Sequence, residues 1–420
     1  MNGNRNLLRQ NLLKTLGPGI LLAGSAIGGS HLIQSTRAGA HYGFKLLVII
    51  LLVNVFKYPF FEFSFRYTAA TGESILKGYY RIGRWALISF FLVSFITAGI
   101  NSAAVTLVSA GLTGFIFNTT LSPLTLSIIL LSIIVGMLLQ GEYSWLDKIM
   151  KCMVVVLGIC TILAFIAALV KGPQAKPGYT PDVLWSYAGI SFLIALMGWM
   201  PAPMEVSVWP SLWTMERAKL TKHHPSIKES LCDFHIGYLS TTIMACLFLG
   251  LGALVMYGSG DTFSNSGIKF SAQLVNIYTK SLGSWSLLII SGAALLAMFS
   301  TTLTAIDAYP RTLKNAIIIL FPKLESRGKI IGVLLIFFVS FEVLIIIGLL
   351  IDGLKTMIDT ATIISFLAAP VIAFINYRAV TSKNIPQEFK PPRWIIVLSW
   401  LGILYLSGFS LFYLAKVIII

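Results

Sequence analysis

Apolar runs of about 20 residues, the length that crosses a bilayer as a helix, recur from one end of the chain to the other. Short polar stretches rich in Lys, Arg, Gly and Pro separate them. Eleven runs can be distinguished, at roughly 16–38, 43–66, 84–110, 121–140, 145–170, 183–210, 235–258, 281–309, 329–351, 356–377 and 394–418. Stretches such as 46–53 and 128–139 do not alternate between apolar and polar residues. A transmembrane barrel would instead alternate over segments of about 10 residues. Backbone amides in hydrocarbon must be satisfied within the segment, so these runs predict helices. The pattern predicts an all-α polytopic membrane protein with eleven transmembrane helices.

Two of the runs carry helix breakers at their middle. The first reads Gly17-Pro18-Gly19 and then Gly28-Gly29-Ser30-His31; the sixth reads Met197-Gly198-Trp199-Met200-Pro201-Ala202-Pro203-Met204-Glu205. Proline removes an amide donor and clashes with the preceding turn, and glycine frees the backbone. Each helix is expected to unwind near its middle, which is tolerated at membrane depth only around a buried site or a watery cavity. Spans 1 and 6 are five apart, as corresponding helices of a 5+5 inverted repeat are. The whole chain, 1–420, then forms a single transmembrane domain: a first repeat over about 16–170, a second over about 183–377 and an extra helix over about 394–418. Paired breaks of this kind predict a midplane binding site and alternating access.

Composition agrees and adds orientation. The chain is 56% hydrophobic and 11% charged, against about 25% charged in soluble domains. Its net charge of +15 does not point to nucleic acid, because the bases sit in short loops between apolar runs. They collect on alternate loops. Arg5, Arg9, Lys14, Arg66, Arg81, Lys148, Arg217, Lys228, Arg311, Arg327, Arg378 and Arg393 exemplify the much larger set that faces the cytoplasm if the N-terminus is inside. That distribution predicts a multi-pass cell-membrane protein with its N-terminus cytoplasmic and its C-terminus outside. The longest inner loop, about 211–234, holds His223 and His224 and is expected to fix topology, with a metal-binding or regulatory role as the alternative. Cys152, Cys160, Cys232 and Cys246 lie in or beside apolar segments without metal-type spacing, which suits reduced core residues. The polar start leads straight into the first span, with no cleavable signal pattern.

Ionisable residues inside spans mark function or need partners. Glu205, just after the sixth-span break, and His31, at the first, are candidates for proton or ion coupling. Asp307, Asp359, Thr301 and Thr304 are candidates for an ion path, the hydroxyls of 300–304 followed by a carboxylate offering oxygens that suit sodium. Bonds from those hydroxyls to their own helix are the alternative. Lys57 and Glu62 are expected to pair within span 2 or to snorkel.

At these motifs the chain resembles the natural resistance-associated macrophage protein (NRAMP) family of proton-coupled divalent-metal transporters. The resemblance runs through Gly17-Pro18-Gly19, then Ala38-Gly39-Ala40-His41-Tyr42-Gly43, then Met200-Pro201, then Ser300-Thr301-Thr302-Leu303-Thr304. It implies the leucine-transporter-type fold, with spans 1, 2, 6 and 7 as a moving bundle. The family's metal-binding Asp and Asn in span 1 fall on Gly28 and His31 here, and its span 6 Met falls on Met200. The His that follows falls on Ala202, and residues 84–120, where the family has carboxylates, contain no Asp or Glu. A divalent cation in a low-dielectric site needs compensating charge. Met200 could hold a soft metal weakly but does not replace a carboxylate.

These features predict a secondary transporter rather than an enzyme, since no nucleophile–base pair and no HExxH-type motif occurs. Gly28, Gly29, His31, Met197, Met200 and Ala202 are expected at the substrate site, and His31, Glu205, Asp307, Thr301, Thr304 and Asp359 on the coupling path. A transported metal cation is favoured, with ordinary manganese or iron transport doubtful; a proton- or sodium-coupled carrier of a small organic solute, such as an amino acid, is the alternative. A channel would need a carbonyl filter or rings of like charge, and neither it nor a non-transporting sensor has support in the motifs. No cofactor is implied. The partners implied are the lipid bilayer and a small solute or ion, with no nucleic acid and no obligate protein partner.

Overall fold

The computed structural model describes residues 14–140, 143–177, 179–350 and 353–419, so Arg5 and Arg9 lie outside the described residues. All regular structure among the described residues is helical. The first span is built of α1 (Pro18–Ala26), a π-helical segment (Ile27–Ser35) and α2 (Thr36–Tyr42). The second is α3 (Leu47–Thr71), and a short helix, α4 (Ile75–Ile82), leads into the third, α5 (Arg84–Ile116). Spans 4 and 5 are α6 (Pro123–Gln140) and α7 (Tyr143–Lys171). The sixth span consists of α8 (Tyr187–Trp199), an open stretch, a 3-10 turn (Met204–Val208) and α9 (Trp209–Thr221). Spans 7 to 11 are α10 (Ile227–Val255), α12 (Leu287–Leu320), α13 (Gly328–Leu350), α14 (Leu354–Val380) and α15 (Arg393–Ile419), with α11 (Gly267–Leu282) lying between α10 and α12.

Large apolar side chains cover the outer surface, among them Val48, Ile96, Ile133, Leu334, Phe341 and Leu404. In water such a belt would be a contiguous patch far beyond what a soluble protein exposes; facing lipid tails it costs nothing.

The helices pack in two groups. In one, α5 is surrounded by α6, α12, α13 and α14. In the other, α10 runs along α1, the π segment, α2 and α3. The seam between spans 1 and 7 is made of bare backbone. A Cβ on Gly39 would fall 1.9 Å from the Leu249 carbonyl oxygen, and one on Gly19 would fall 2.0 Å from that of Asp233. Helices in a membrane gain little from apolar burial against each other, so close approach at small residues supplies the contact.

The Gly17-Pro18-Gly19 motif has a partner here. Asp233 of α10 accepts from the Gly17 amide at 3.1 Å and the Gly19 amide at 2.7 Å. Pro18, between them, has no amide to satisfy. The buried carboxylate therefore caps the positive end of α1. Asp233→Ala leaves two helix amides bare and is expected to cost about 1–3 kcal/mol, read as a lower unfolding midpoint of the detergent-purified protein.

Two expectations change. Span 7 starts at Ile227, well before 235, because Ser226 and Glu229 form a capping box that starts the helix in polar sequence. With α9 continuing to Thr221, the supposed loop over 211–234 is mostly helix, and His223 lies 3.0 Å from Glu229 across the short turn that remains. In α3, Glu62 pairs not with Lys57 but with Arg66, one helical turn on. A spacing of four residues puts the two side chains on one face, whereas the five between Lys57 and Glu62 does not.

Candidate functional site at the two interruptions

Spans 1 and 6 are interrupted differently, and the difference follows from proline. Pro201 and Pro203 remove two donors from the helical ladder. The chain opens after Trp199 and resumes as a 3-10 turn at Met204. Span 1 has Gly28 and Gly29 but no proline at its middle, so every amide there can still donate. It keeps turning at the wider π pitch over Ile27–Ser35. The first interruption is thus a widened helix, not an open loop.

A cavity of about 50 Å³ lies where the two interruptions meet α5 and α12. That is room for a few water-sized positions. Its polar wall is Ser25 and Ser30 of span 1, Asn101 of α5, and Thr301 and Tyr309 of α12; Val105, Trp199, Val206 and Trp209 supply the apolar wall. No charged side chain lines it.

The wall is tied together by a chain of hydrogen bonds. Asn101 donates to Tyr309 at 2.8 Å and to Glu205 at 3.2 Å, and Tyr309 donates to the same Glu205 oxygen at 3.2 Å. Trp199 donates to Asn101 at 3.3 Å. Trp209 packs edge-on against Tyr309, 5.0 Å between centroids. Glu205 therefore stands one layer behind the cavity, and its second oxygen has no hydrogen-bond partner.

Of the candidate substrate residues, Gly29 and Ala202 line the cavity. Gly28 lies beside it: a Cβ there would be 2.0 Å from Thr301 Oγ1. The space left by the missing side chains is taken by Thr301 at Gly28 and by the Trp199 ring at Gly29. His31 turns back on its own helix. Its Nδ1 lies 2.8 Å from the Ala26 carbonyl and 2.6 Å from Ser30 Oγ. A carbonyl only accepts, so Nδ1 carries the hydrogen, and Ser30 has one hydrogen to share between the Ala26 carbonyl at 2.5 Å and, on the sixth span, the Pro201 carbonyl at 2.9 Å. The second of these contacts joins the two interruptions. His31 Nε2 faces the Thr241 backbone of α10 without making a hydrogen bond. Met197 and Met200 are fully buried outside the cavity wall, and the Met197 sulfur accepts from Tyr405 of α15 at 2.9 Å.

The candidate coupling residues are dispersed. Thr301 lines the cavity, and both Thr301 and Thr304 donate to the carbonyls one turn back, Ala297 at 3.0 Å and Ser300 at 2.8 Å. Asp307 pairs with Arg311 at 2.7 Å. Asp359 receives both arms of Arg37, at 2.7 and 3.0 Å, which ties α14 to α2 away from the cavity. Among the described residues no group of three His, Cys, Asp or Glu side chains could hold a metal ion.

Several residues at the site carry no motif that would reveal their role. Asn101, Tyr309 and Trp199 converge only through the packing of α5, α8 and α12. Lys57 is the largest such omission. Wholly buried on α3, it donates to the Met197 carbonyl at 2.7 Å, the Gly198 carbonyl at 2.9 Å and the Ala202 carbonyl at 3.4 Å. The charged group facing it is Glu205.

Interrupted first and sixth spans with a cavity between them, in a chain of many apolar helices, define a multi-pass membrane protein with the leucine-transporter-type fold. The chain belongs to the natural resistance-associated macrophage protein-like family, whose model matches residues 19–416. It is 39% identical to an uncharacterised protein of Pasteurella multocida over 404 residues, 96% of this chain and 92% of that one. It is 21% identical to a protein of a Nostoc strain named divalent metal cation transporter MntH, over 97% of this chain and 92% of the relative. A manganese transporter from Eremococcus coleocola shares the fold, with a TM-score of 0.73 at 14% identity over 96% of this chain and 86% of that structure.

Proposed function

We propose that this chain is a secondary active transporter that carries a metal cation by alternating access through the cavity between spans 1 and 6. Its N-terminus is cytoplasmic and its C-terminus outside. Relatives named as divalent metal cation transporters support the cargo class. The observation that carries the reading is the position of the cavity: it is walled by both interruptions together with α5 and α12, where the two repeats of such a fold meet.

How the cation is held differs from a carboxylate site. The oxygens on offer are hydroxyls, an amide and a phenol, and the carboxylate of Glu205 reaches the cavity only through Asn101 and Tyr309. A dication stripped of water there would lack a touching counter-charge, and desolvating an ion without one costs several kcal/mol or more. Ordinary manganese or iron transport is therefore not expected; a cation that keeps part of its water is. Glu205 is the proposed coupling carboxylate.

A second reading, an uncharged or zwitterionic organic solute, is favoured by the uncharged wall. Proteoliposome flux and calorimetry with Mn²⁺, Mg²⁺ and a panel of amino and organic acids separate the two. Weak or absent Mn²⁺ flux is expected. Robust Mn²⁺ transport at micromolar affinity would sink the idea of a rebuilt site, and flux of an amino or organic acid without metal would replace the first reading by the second.

A further inference from the structure

An interrupted helix leaves carbonyls without amides. In α8 the Met197 carbonyl would ordinarily receive the amide four residues on, but that residue is Pro201. The Gly198 carbonyl loses the Ala202 amide because the chain has opened there. These oxygens sit at the C-terminal, negative end of a half-helix, which draws cations. Unwound carbonyls and half-helix ends of this kind are where membrane carriers bind small cations.

In this chain the position is filled from within. The Lys57 ammonium has three hydrogens and reaches three carbonyls, those of Met197, Gly198 and Ala202. Among the described residues it makes no direct ion pair, and its side chain is entirely buried. The negative charge that faces it, Glu205, lies on the other side of the same interruption and is bonded to the cavity wall. The ammonium is thus coordinated by backbone oxygen, as a free cation would be, and its charge is balanced within the protein.

We propose that Lys57 is a built-in cation for the carbonyl end of the sixth span, and a specificity-determining residue that keeps free cations out of that position. A transported or coupling cation must then bind on the Ser30, Asn101 and Thr301 side of the cavity, whatever the cargo. The proposal concerns the carbonyl end alone and does not depend on which solute crosses.

The test is thermal unfolding of the purified protein in choline, sodium, potassium or methylammonium chloride at matched ionic strength. The wild-type midpoint in each salt, including any shift from a cation bound in the cavity, is the reference against which the variants are read. Lys57→Ala should unfold at a lower temperature in choline and recover, saturably, with methylammonium or a metal cation that fits the vacated carbonyls. Lys57→Met, which keeps most of the stem and loses the charge, should show the same dependence on the metal cation. Either variant as stable as wild type in choline overturns the proposal, as does the absence of saturable recovery in both. Should neither variant be isolated in choline, both are prepared in methylammonium, where failure to recover folded protein also counts against it. Transport is not read in this experiment, so a wrong cargo assignment cannot be mistaken for a wrong role of Lys57.

Discussion

Replacing Glu205 by Leu is expected to abolish transport and to destabilise the protein by about 3–5 kcal/mol, the usual cost of leaving a buried charge unbalanced. Three features make the effect large. The side chain is 1% exposed, so it has no water to fall back on. It is the acceptor on which Asn101 and Tyr309 converge, so two cavity-wall donors lose their partner together. It also faces the Lys57 ammonium, which loses its counter-charge in the sixth-span break. Glu205→Gln separates hydrogen bonding from charge: it preserves an oxygen acceptor for Asn101 and Tyr309 in the same place, so it should be less destabilised than Glu205→Leu, while the charge and the titrating group are gone. It should fold, bind cargo and lose uptake driven by an ion gradient while keeping exchange. Uptake into proteoliposomes with and without an imposed proton gradient reads this, and gradient-driven uptake at the wild-type rate by Glu205→Gln would remove Glu205 from coupling.

The second large effect is expected at Gly28. Any side chain there starts 2.0 Å from Thr301 Oγ1 and 2.9 Å from Thr301 Cβ, distances at which something must move. Gly28→Ala should therefore cost about 1–3 kcal/mol by overpacking. Gly28→Asp, which places a carboxylate where the family resemblance implies one, should be worse alone. Combined with Thr301→Gly, which removes the three atoms nearest that Cβ, it should regain stability and bring a counter-charge to the interruption. Calorimetry with Mn²⁺ is expected to show binding at least tenfold tighter for the double variant than for wild type. A double variant that folds and binds no better shows that the missing carboxylate is not what sets the cargo.

The number and type of spans are legible from hydropathy because each membrane helix must carry its own apolar surface and satisfy its own amides. The short helices α4 and α11 are not, since they lie outside the apolar runs and draw their apolar contacts from neighbours. The location of the interruptions can be read from Pro201, Pro203 and the glycine pair at 28–29, but their form depends on whether donors are lost or only loosened. Lys57 shows most clearly where local reading stops. Along the chain its nearest carboxylate is Glu62, yet Arg66 takes that carboxylate, and the ammonium reaches carbonyls 140 residues away instead. Nothing in the spacing of α3 announces the Met197 carbonyl, because the acceptor is backbone and exists only once α8 has stopped. Asn101 is similar: an amide in an apolar span announces a partner, but its partners Glu205, Tyr309 and Ser365 come from three other spans.

The seam between spans 1 and 7 has a mechanical consequence. Where Gly19 meets Asp233 and Gly39 meets Leu249, two backbones touch with no side chain between them, and the first contact is locked by the carboxylate on the α1 amides. Sliding one helix past the other would drive Cα into carbonyl oxygen at both ends. Spans 1 and 7 are therefore expected to move as a single lever, and in the alternating access proposed above the swing would turn on the faces that α1 and the π segment present to α12, where Thr301 rather than bare backbone would form the bearing.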